Sequence, residues 1–263
     1  MRIKPKKSLG QNFLIDKNIR NKIIKSLLLE NDDIVLEIGS GRGELTELIA
    51  ESVDKVIALE VDKRLSEALV GLSNATPNIT VINQDILKLD LEALNKSLRL
   101  IKRFKVFGNI PYYISSPIIE HLLFFRSTID TIFITVQKEF AERIVACPGS
   151  KDFGSFSCFV QYYAHPKIIF DISKNCFRPV PKVTSSFLEL KIREVPAVSV
   201  QDETRFFKVV RGAFGQRRKT LRNSLEGLVS EKKLEAFFTE SKNKKTVRPE
   251  ELSLKDFALL SNL

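Results

Sequence analysis

One stretch near the N-terminus limits the possible folds of this chain more than any other. Residues 34–38 (IVLEI) form an expected strand, residues 39–43 (GSGRG) follow as a glycine turn, and a helix is expected from Glu44. Glycines let a ligand approach the backbone, and the free amides of a helix N-terminus face that ligand. This arrangement predicts an α/β sheet that binds a nucleotide-type cofactor, either NAD or S-adenosylmethionine. The spacing departs from Gly-x-Gly-x-x-Gly, which weakens the case for NAD, and no Gly-Lys-Ser/Thr follows, which excludes a P-loop.

Acidic residues follow the next two expected strands. Glu60 ends the strand 55–59 and comes 21 residues after Gly39, where a carboxylate can accept hydrogen bonds from both ribose hydroxyls. Asp85 follows the third strand and could accept a hydrogen bond from an adenine amine, with Ile86 against the ring. Capping of the segment that follows is an equally sensible role for Asp85.

The fourth expected strand runs into residues 109–112 (NIPY). Proline fixes its own φ and restricts the residue before it, which favours an extended turn. Such a turn can aim the side-chain oxygen of Asn109 and the carbonyl of Ile110 at one point, with the ring of Tyr112 beside it. Two acceptors and a flat apolar face match a planar base that carries an exocyclic amine. A plain strand-to-loop turn with a packed tyrosine is the alternative, but all four candidate sites lie at carboxyl ends of successive strands, where α/β sheets bind ligands.

The pattern changes towards the C-terminus. The loop 177–183 (FRPVPKV) is stiffened by prolines between two expected strands, and Phe177 is either an exposed stacking wall or a buried anchor. From residue 195 the apolar spacing becomes helical. We therefore expect a cofactor-binding domain over residues 1–194, opening with a basic segment at 1–14, and a small all-helical domain over 195–263.

The charge balance suits a polyanionic partner, since 42 basic residues against 32 acidic ones give a formal net charge of +10. Basic clusters occur within residues 1–30, 211–222 and 242–248, and nucleic acid or a solvated helix face explains each of them. Three scattered cysteines and two histidines exclude a disulfide framework and the usual zinc sites. No apolar run approaches ~18 residues, so we expect a soluble, cytoplasmic protein without a membrane partner.

Five segments, in chain order, together resemble the ribosomal RNA adenine N6-dimethyltransferases, most closely the small-subunit enzymes of the KsgA/RsmA type. The Erm methyltransferases of antibiotic resistance share the earlier segments, whereas the last two fit the small-subunit branch better. Ile110 stands where bacterial members often have leucine, but the backbone carbonyl is what matters there. The segments are 7–14 (KSLGQNFL), 37–43 (EIGSGRG), 109–112 (NIPY), 177–183 (FRPVPKV) and 214–225 (FGQRRKTLRNSL).

The resemblance implies a Rossmann-like methyltransferase sheet with helices on both faces, S-adenosylmethionine as methyl donor, and no metal. Its implied substrate is small-subunit rRNA or an immature small ribosomal subunit, bound by a monomer, with two adjacent adenosines of the 3′-terminal hairpin loop each dimethylated. Implied catalytic residues are Asn109, Ile110, Tyr112 and Phe177. Implied cofactor-binding residues are Gln11, Asn12, Leu14, Gly39, Gly41, Glu60, Val61, Asp85, Ile86 and Asn109. Candidate RNA-binding residues are Lys6, Lys7, Arg217, Arg218, Lys219 and Arg222.

Other functions remain open from the sequence. Large-subunit rRNA methylation of the Erm type and DNA adenine methylation use the same chemistry on another target. A non-catalytic assembly or transcription factor on the same fold is a different class, disfavoured by the intact set of Glu60, Asp85, Asn109 and Tyr112. A dehydrogenase is the weakest alternative, since nothing offers an acid for hydride transfer.

Overall fold

The structure is a computed structural model that describes residues 3–6, 9–100, 102–216 and 219–263. The chain divides into two compact units. One comprises the chain up to Ala141 together with Lys167–Ile192, and the other comprises Glu142–Pro166 and Arg193–Leu263. The sequence-based boundary at residue 194 differs from this division, because segment 142–166 belongs with the C-terminal helices.

The first unit is built on a mixed sheet in the order β4-β3-β2-β5-β6-β9-β7. Strands β2 to β6 are mutually parallel where they pair, and β9 runs antiparallel to β6. A separate two-stranded ribbon pairs β1 with β8. The strands are β1 Phe13–Leu14, β2 Ile34–Ile38, β3 Lys55–Leu59, β4 Ile79–Ile82, β5 Phe104–Asn109, β6 Ile129–Gln137, β7 Ala164–Ile172, β8 Phe177–Arg178 and β9 Ser185–Ile192.

Helices flank the sheet on both faces, which confirms the expected α/β class. Parallel strands need crossover connections, and these helices supply them. None of the helices in the described ranges is long and apolar enough to cross a membrane. The helices are α1 Lys17–Ser26, α2 Glu44–Ala50, α3 Lys63–Ala75, α4 Leu91–Ser97, α5 Ser115–Phe124, α6 Lys138–Val145, α7 Ser155–Tyr163, α8 Glu203–Phe214, α9 Leu221–Ser224, α10 Glu231–Ser241 and α11 Leu254–Asn262.

Strand β2 lies in the middle of the sheet and is buried along its whole length. A parallel strand covered on both faces reads as a continuous apolar run, which explains why IVLEI signals a strand without alternation. Its one charged residue, Glu37, is 2% exposed and accepts a hydrogen bond from the Thr46 hydroxyl at 2.5 Å. Burial raises the pKa of Glu37 to about 7.

The second unit is held together by aromatic side chains and helix packing. Tyr162 and Tyr163 of α7 lie against Phe206 and Phe207 of α8, with ring centroids about 5–6 Å apart. Both tyrosine hydroxyls donate to the carboxylate of Glu203, at 3.2 and 2.7 Å. These contacts give the physical reason why segment 142–166 groups with the helices that follow residue 193.

Candidate active site

A cleft opens in the first unit where β2, β3 and β5 end. It contains about 830 Å³ of space not occupied by atoms, part of which is open to solvent. The segments that sequence reasoning selected meet here, because parallel strands bring their carboxyl ends to one edge. The lining residues are Leu9, Gly10, Gln11, Asn12, Phe13, Ile38, Gly39, Gly41, Leu59, Glu60, Val61, Gln84, Asp85, Ile86, Asn109, Ile110, Pro111, Tyr112, Tyr113, Ile114 and Ile118.

The glycine turn forms the floor of this cleft and needs its glycines for two reasons. Gly41 has φ +61°, a left-handed conformation that side chains other than glycine rarely adopt. A Cβ at Gly41 would lie 3.3 Å from the ring of Phe13, tighter than ordinary contact. Gly39 has φ +74° and lies beside the backbone carbonyl of Asn109. The turn therefore keeps its backbone open to a ligand, as the spacing predicts.

Glu60 lies at the end of β3 and is 4% exposed. Its two carboxylate oxygens accept hydrogen bonds from the backbone N–H groups of Gly41 and Asp62, both at 2.9 Å. Burial raises the pKa of Glu60, and these two hydrogen bonds oppose the rise. The hydrogen bonds hold the carboxylate in one orientation at the cleft wall, with lone pairs left for ligand hydroxyls.

Asp85 caps the segment that follows it, one of the two roles that the sequence left open, and its predicted contact with an adenine amine stays a prediction. One carboxylate oxygen accepts the N–H of Leu87 at 3.0 Å and caps the short 3-10 turn Ile86–Lys88. The same residue lines the cleft together with Ile86 and Val61. Ile86 is 5% exposed and Val61 is 51% exposed. The Asp85 carboxylate is therefore accompanied in the cleft by one buried and one exposed apolar side chain, which a flat apolar ring could contact.

Asn109 and Ile110 form the corner at the end of β5. The Asn109 amide donates from Nδ2 to the carbonyl of Asn12 at 3.0 Å. Because a carbonyl can only accept, this bond assigns Nδ2 to that side and leaves Oδ1 as the outward acceptor. Within the described part of the chain, neither Asn109 Oδ1 nor the Ile110 carbonyl receives a hydrogen bond. Two consecutive residues that line the cleft therefore each carry an acceptor without a hydrogen-bond donor among the described residues.

Tyr112 follows in a 3-10 turn and is half-buried. Its hydroxyl shares a hydrogen bond of 2.5 Å with Ser185 Oγ, and burial raises its pKa. Sequence reasoning did not select two further aromatic residues of the cleft, Phe13 and Tyr113. Both adjoin selected positions, and Tyr113 is 65% exposed. Their positions next to selected residues could have indicated them, but the sequence did not show how exposed their side chains are.

The N-terminal segment closes one side of the cleft. Gln11 donates from Nε2 to Asp62 at 3.3 Å, and Asn12 donates from Nδ2 to the carbonyl of Gly10 at 3.1 Å. Leu14 is not among the residues that line the cleft. It is 5% exposed, belongs to the hydrophobic core, and lines a smaller recess that shares Phe13, Gly39, Gly41 and Asn109 with the cleft. Its predicted contact with the cofactor stays a prediction.

Phe177 is the clearest correction to the sequence analysis. The stacking wall requires an exposed ring, but Phe177 is 0% exposed and lies in the hydrophobic core. Strand β8 pairs with β1, placing Phe177 opposite Leu14. The ribbon turns the ring inwards, where burial of its apolar surface stabilises the unit. Of the two roles considered for Phe177, the buried anchor is the observed one.

The candidate RNA-binding residues fall into three groups. Lys7, Arg217 and Arg218 lie outside the described residues. Lys6 forms an ion pair with Asp62 at 3.1 Å, and Arg222 forms ion pairs with Glu231 at 2.7 Å and with Glu235. Both cations are paired within the protein but stay partly exposed, and their predicted phosphate contacts stay predictions. Lys219 is exposed and makes no ion pair with the described residues.

No group of three or more His, Cys, Asp or Glu side chains able to hold a metal occurs in the described ranges. The donor set of the cleft is different in kind. It offers a carboxylate suited to vicinal hydroxyls, a second carboxylate beside apolar walls, and an open backbone turn. These groups fit the ribose, the adenine and the amino-acid end of S-adenosylmethionine.

Comparison with known proteins agrees with this geometry. The family described as ribosomal RNA adenine dimethylase matches residues 2–263. The chain is 42% identical over 259 residues to the ribosomal RNA small subunit methyltransferase A of Alkaliphilus oremlandii, covering 97% of this chain and 90% of the relative. It is 43% identical over 261 residues to the protein of that name from Caldanaerobacter subterraneus, covering 99% and 97%.

Two solved structures extend the comparison. A dimethyladenosine transferase from Plasmodium falciparum superposes with a TM-score of 0.77 at 26% identity, covering 94% of this chain and 95% of that one. The 23S rRNA methyltransferase ErmE superposes with a TM-score of 0.74 at 26% identity, covering 95% and 98%. The chain belongs to the ribosomal RNA adenine dimethylase family and is an S-adenosylmethionine-dependent rRNA adenine dimethyltransferase.

Proposed function

We propose that this enzyme dimethylates N6 of two adjacent adenosines in the 3′-terminal hairpin loop of small-subunit rRNA. It acts in the cytoplasm as a monomer on RNA of the maturing small subunit. Support for the small subunit comes from the names of the relatives that are about 42% identical over nearly the whole chain. The formal net charge of +10 suits such a polyanionic substrate.

The observation that carries the mechanism is the pair of unpaired acceptors at the end of β5. Asn109 Oδ1 and the Ile110 carbonyl match the two N–H groups of an adenine amine. The Asn12 carbonyl holds the Asn109 amide in the orientation that presents this oxygen. An adenine seated there has both N–H groups engaged, which fixes the direction of its nitrogen lone pair.

Holding the amine in this way addresses the main chemical difficulty. The lone pair of an adenine amine is delocalised into the ring, which makes the nitrogen a poor nucleophile. Acceptors on both N–H groups favour a pyramidal nitrogen, and orientation of this kind can contribute ~7–11 kcal/mol. The same acceptors stabilise the positive charge that develops on nitrogen. When bound, S-adenosylmethionine supplies an electrophilic methyl group.

The cleft contains no histidine or lysine among its lining residues. Tyr112 is not a base either, because burial raises its pKa and keeps the phenol protonated. None is needed, since the methylated ammonium is acidic enough to lose its proton to water. The Tyr112 ring provides a flat apolar surface beside the acceptors, and stacking on such a ring is worth ~1–3 kcal/mol per base.

A second transfer to the same nitrogen meets a changed amine. The monomethylated product has one N–H left, so only one of the two acceptors can be used. The cleft must then accommodate a methyl group beside Asn109 or Ile110. Each adenosine therefore passes through two binding modes at the same corner.

Mass mapping of rRNA tests the proposal. RNA from cells lacking this protein should carry unmethylated adenosines in the 3′-terminal small-subunit hairpin, and purified enzyme with S-adenosylmethionine should restore N6,N6-dimethyladenosine there. Restoration in the large subunit instead would assign the Erm-type function. No methylation of any rRNA by enzyme that binds RNA would assign a non-catalytic role.

A further inference from the structure

We propose that Asp62 is a positioning residue that secures the N-terminal segment across the cofactor cleft and slows release of the bound ligand. The N-terminal segment is defined here as residues 3–6 and 9–14. Residues 9–13 of it line the cleft. Asp62 lies outside the cleft lining, one residue beyond Val61.

The Asp62 side chain is fully buried although it carries a carboxylate. Two contacts come from the N-terminal segment: Lys6 Nζ at 3.1 Å and Gln11 Nε2 at 3.3 Å. The other side-chain contacts come from Arg64 in α3, the shortest of them at 2.7 Å. These contacts, with that of Arg64 the largest cause, hold the pKa of Asp62 well below its usual range. The carboxylate is therefore charged at every physiological pH.

The two residues of the N-terminal segment that contact Asp62 are also hydrogen-bonded to each other. The Lys6 N–H donates to Gln11 Oε1 at 2.7 Å, so Lys6 and Gln11 approach the carboxylate as one unit. Beyond Gln11, the Asn12 carbonyl receives the Asn109 amide. The segment thus runs from the Asp62 carboxylate to the methyl-transfer corner.

Asp62 also reaches the cofactor site through its backbone. Its N–H donates to Glu60 Oε1 at 2.9 Å, next to the oxygen held by Gly41. One residue therefore orients the acid expected to bind the ribose and holds the segment that covers it. Hydrogen bonds to charged groups are among the stronger ones in proteins, so this arrangement resists opening.

Leu9–Phe13 line one side of the cleft, and the contacts with Asp62 hold the segment in place, so we expect a bound ligand to leave more slowly while these contacts persist. Lys6 does not line the cleft, so removing its donor should speed release without altering the cleft walls, whereas Gln11→Met also changes one lining side chain. Lys6→Met and Gln11→Met remove the donors from the segment and leave the Asp62 carboxylate with its Arg64 contacts. Both positions are outside the buried core, so the fold is expected to survive.

The experiment measures the dissociation rate of S-adenosylhomocysteine from the full-length enzyme by competition. Lys6→Met and Gln11→Met should each raise this rate several-fold, up to about tenfold. In the double variant the effects should be non-additive, because both donors serve one carboxylate. Lys63→Met removes the same charge from an exposed lysine of α3 that pairs with Glu67 instead, and it should leave the rate unchanged.

Limited trypsin digestion gives a second readout that does not depend on ligand chemistry. Cleavage after Lys6 should accelerate in Gln11→Met relative to the wild type, with no change in the unfolding midpoint; the Lys4-Pro5 bond resists trypsin. Unchanged release in both variants, together with unchanged cleavage in Gln11→Met, would overturn the proposal. If the wild type does not bind S-adenosylhomocysteine at all, the assignment of the cleft fails instead, so the two failures are distinguishable.

Discussion

Replacing Asn109 tests the methyl-transfer corner most directly. Asn109→Ala removes the Oδ1 acceptor and the Nδ2 donor together, whereas Asn109→Asp keeps an acceptor oxygen, loses the donor and adds a negative charge. The donor bonds the Asn12 carbonyl at 3.0 Å, and the acceptor receives no hydrogen bond from the described residues. The two variants therefore separate the acceptor's contribution to chemistry from the contribution of its orientation.

The magnitudes follow from what each variant loses. Loss of a preorganised polar group that faces developing charge costs about 10²–10³ in kcat, or about 2.7–4 kcal/mol. Loss of one ordinary hydrogen bond costs about 0.5–1.5 kcal/mol, which is at most about tenfold in rate. We therefore expect Asn109→Ala to lower kcat by about 10²–10³ and Asn109→Asp by about tenfold.

The assay is single-turnover methylation of small-subunit RNA with saturating S-adenosylmethionine, beside calorimetric binding of S-adenosylhomocysteine. Cofactor affinity should change far less than kcat, because Glu60 and Asp85 remain. A matched control is Asn78→Ala, which removes amide bonds to the Ala50 and Val53 carbonyls at 2.9 and 3.0 Å, away from the cleft. Asn78→Ala should lower stability and leave kcat unchanged.

Two results would refute the reasoning. A kcat for Asn109→Ala within about threefold of the wild type would show that the acceptor contributes little to the barrier. A larger loss in Asn109→Asp than in Asn109→Ala would show that the amide donor, not the acceptor, dominates. In either case the corner formed with Ile110 would need a different account.

Three further predictions concern stability and RNA binding. Phe177→Ala should lower the free energy of unfolding by about 3–5 kcal/mol in denaturant unfolding. Phe124→Ala is the control, because its ring is 74% exposed, and it should change stability by less than about 0.5 kcal/mol. Equally small effects of both variants would contradict the buried position of Phe177. Lys219→Glu should weaken RNA binding and reduce the slope of log affinity against log salt concentration by about one. Arg222→Leu should instead lower the unfolding midpoint, because it removes ion pairs. If only Arg222→Leu altered the slope of RNA affinity against salt, these assignments would be reversed. Burial raises the pKa of Glu37 from 4.5 to about 7, so the protonated carboxyl stabilises the fold at low pH, and about 3 kcal/mol of stability is lost as the pH rises through that range. Glu37→Gln should therefore flatten the dependence of stability on pH between about pH 5 and 8 in thermal unfolding. An unchanged dependence would assign the titration to another group.

Much of the cleft could be predicted from short-range patterns. The strand 34–38, the glycine turn and the helix from Glu44 have the expected bounds, because each depends on neighbours within a few residues. The strands 55–59 and 79–82 also match. Since parallel strands present their carboxyl ends at one edge, Glu60 and Asp85 could be placed in a common cleft before any coordinates.

Charge was harder to interpret than hydrophobicity. Lys6 and Arg222 stand in basic clusters that suggested phosphate contacts, yet each forms an ion pair with an acidic side chain in the fold. Asp62 was not selected from the sequence, because its partners Lys6 and Gln11 lie more than 50 residues away. Charge pairing over such distances depends on chain topology, which a local pattern does not contain.

The amino-acid sequence by itself determined the parallel strands, the open glycine turn and the chemistry collected at their ends, because these follow from local backbone preferences and apolar periodicity. Only the tertiary structure decided the direction of individual side chains. The ribbon of β1 and β8 turned Phe177 into the core, and the Asn12 carbonyl, 97 residues from Asn109, oriented the amide that we propose holds the substrate nitrogen. Burial and hydrogen bonding between distant segments exist only once the chain has folded.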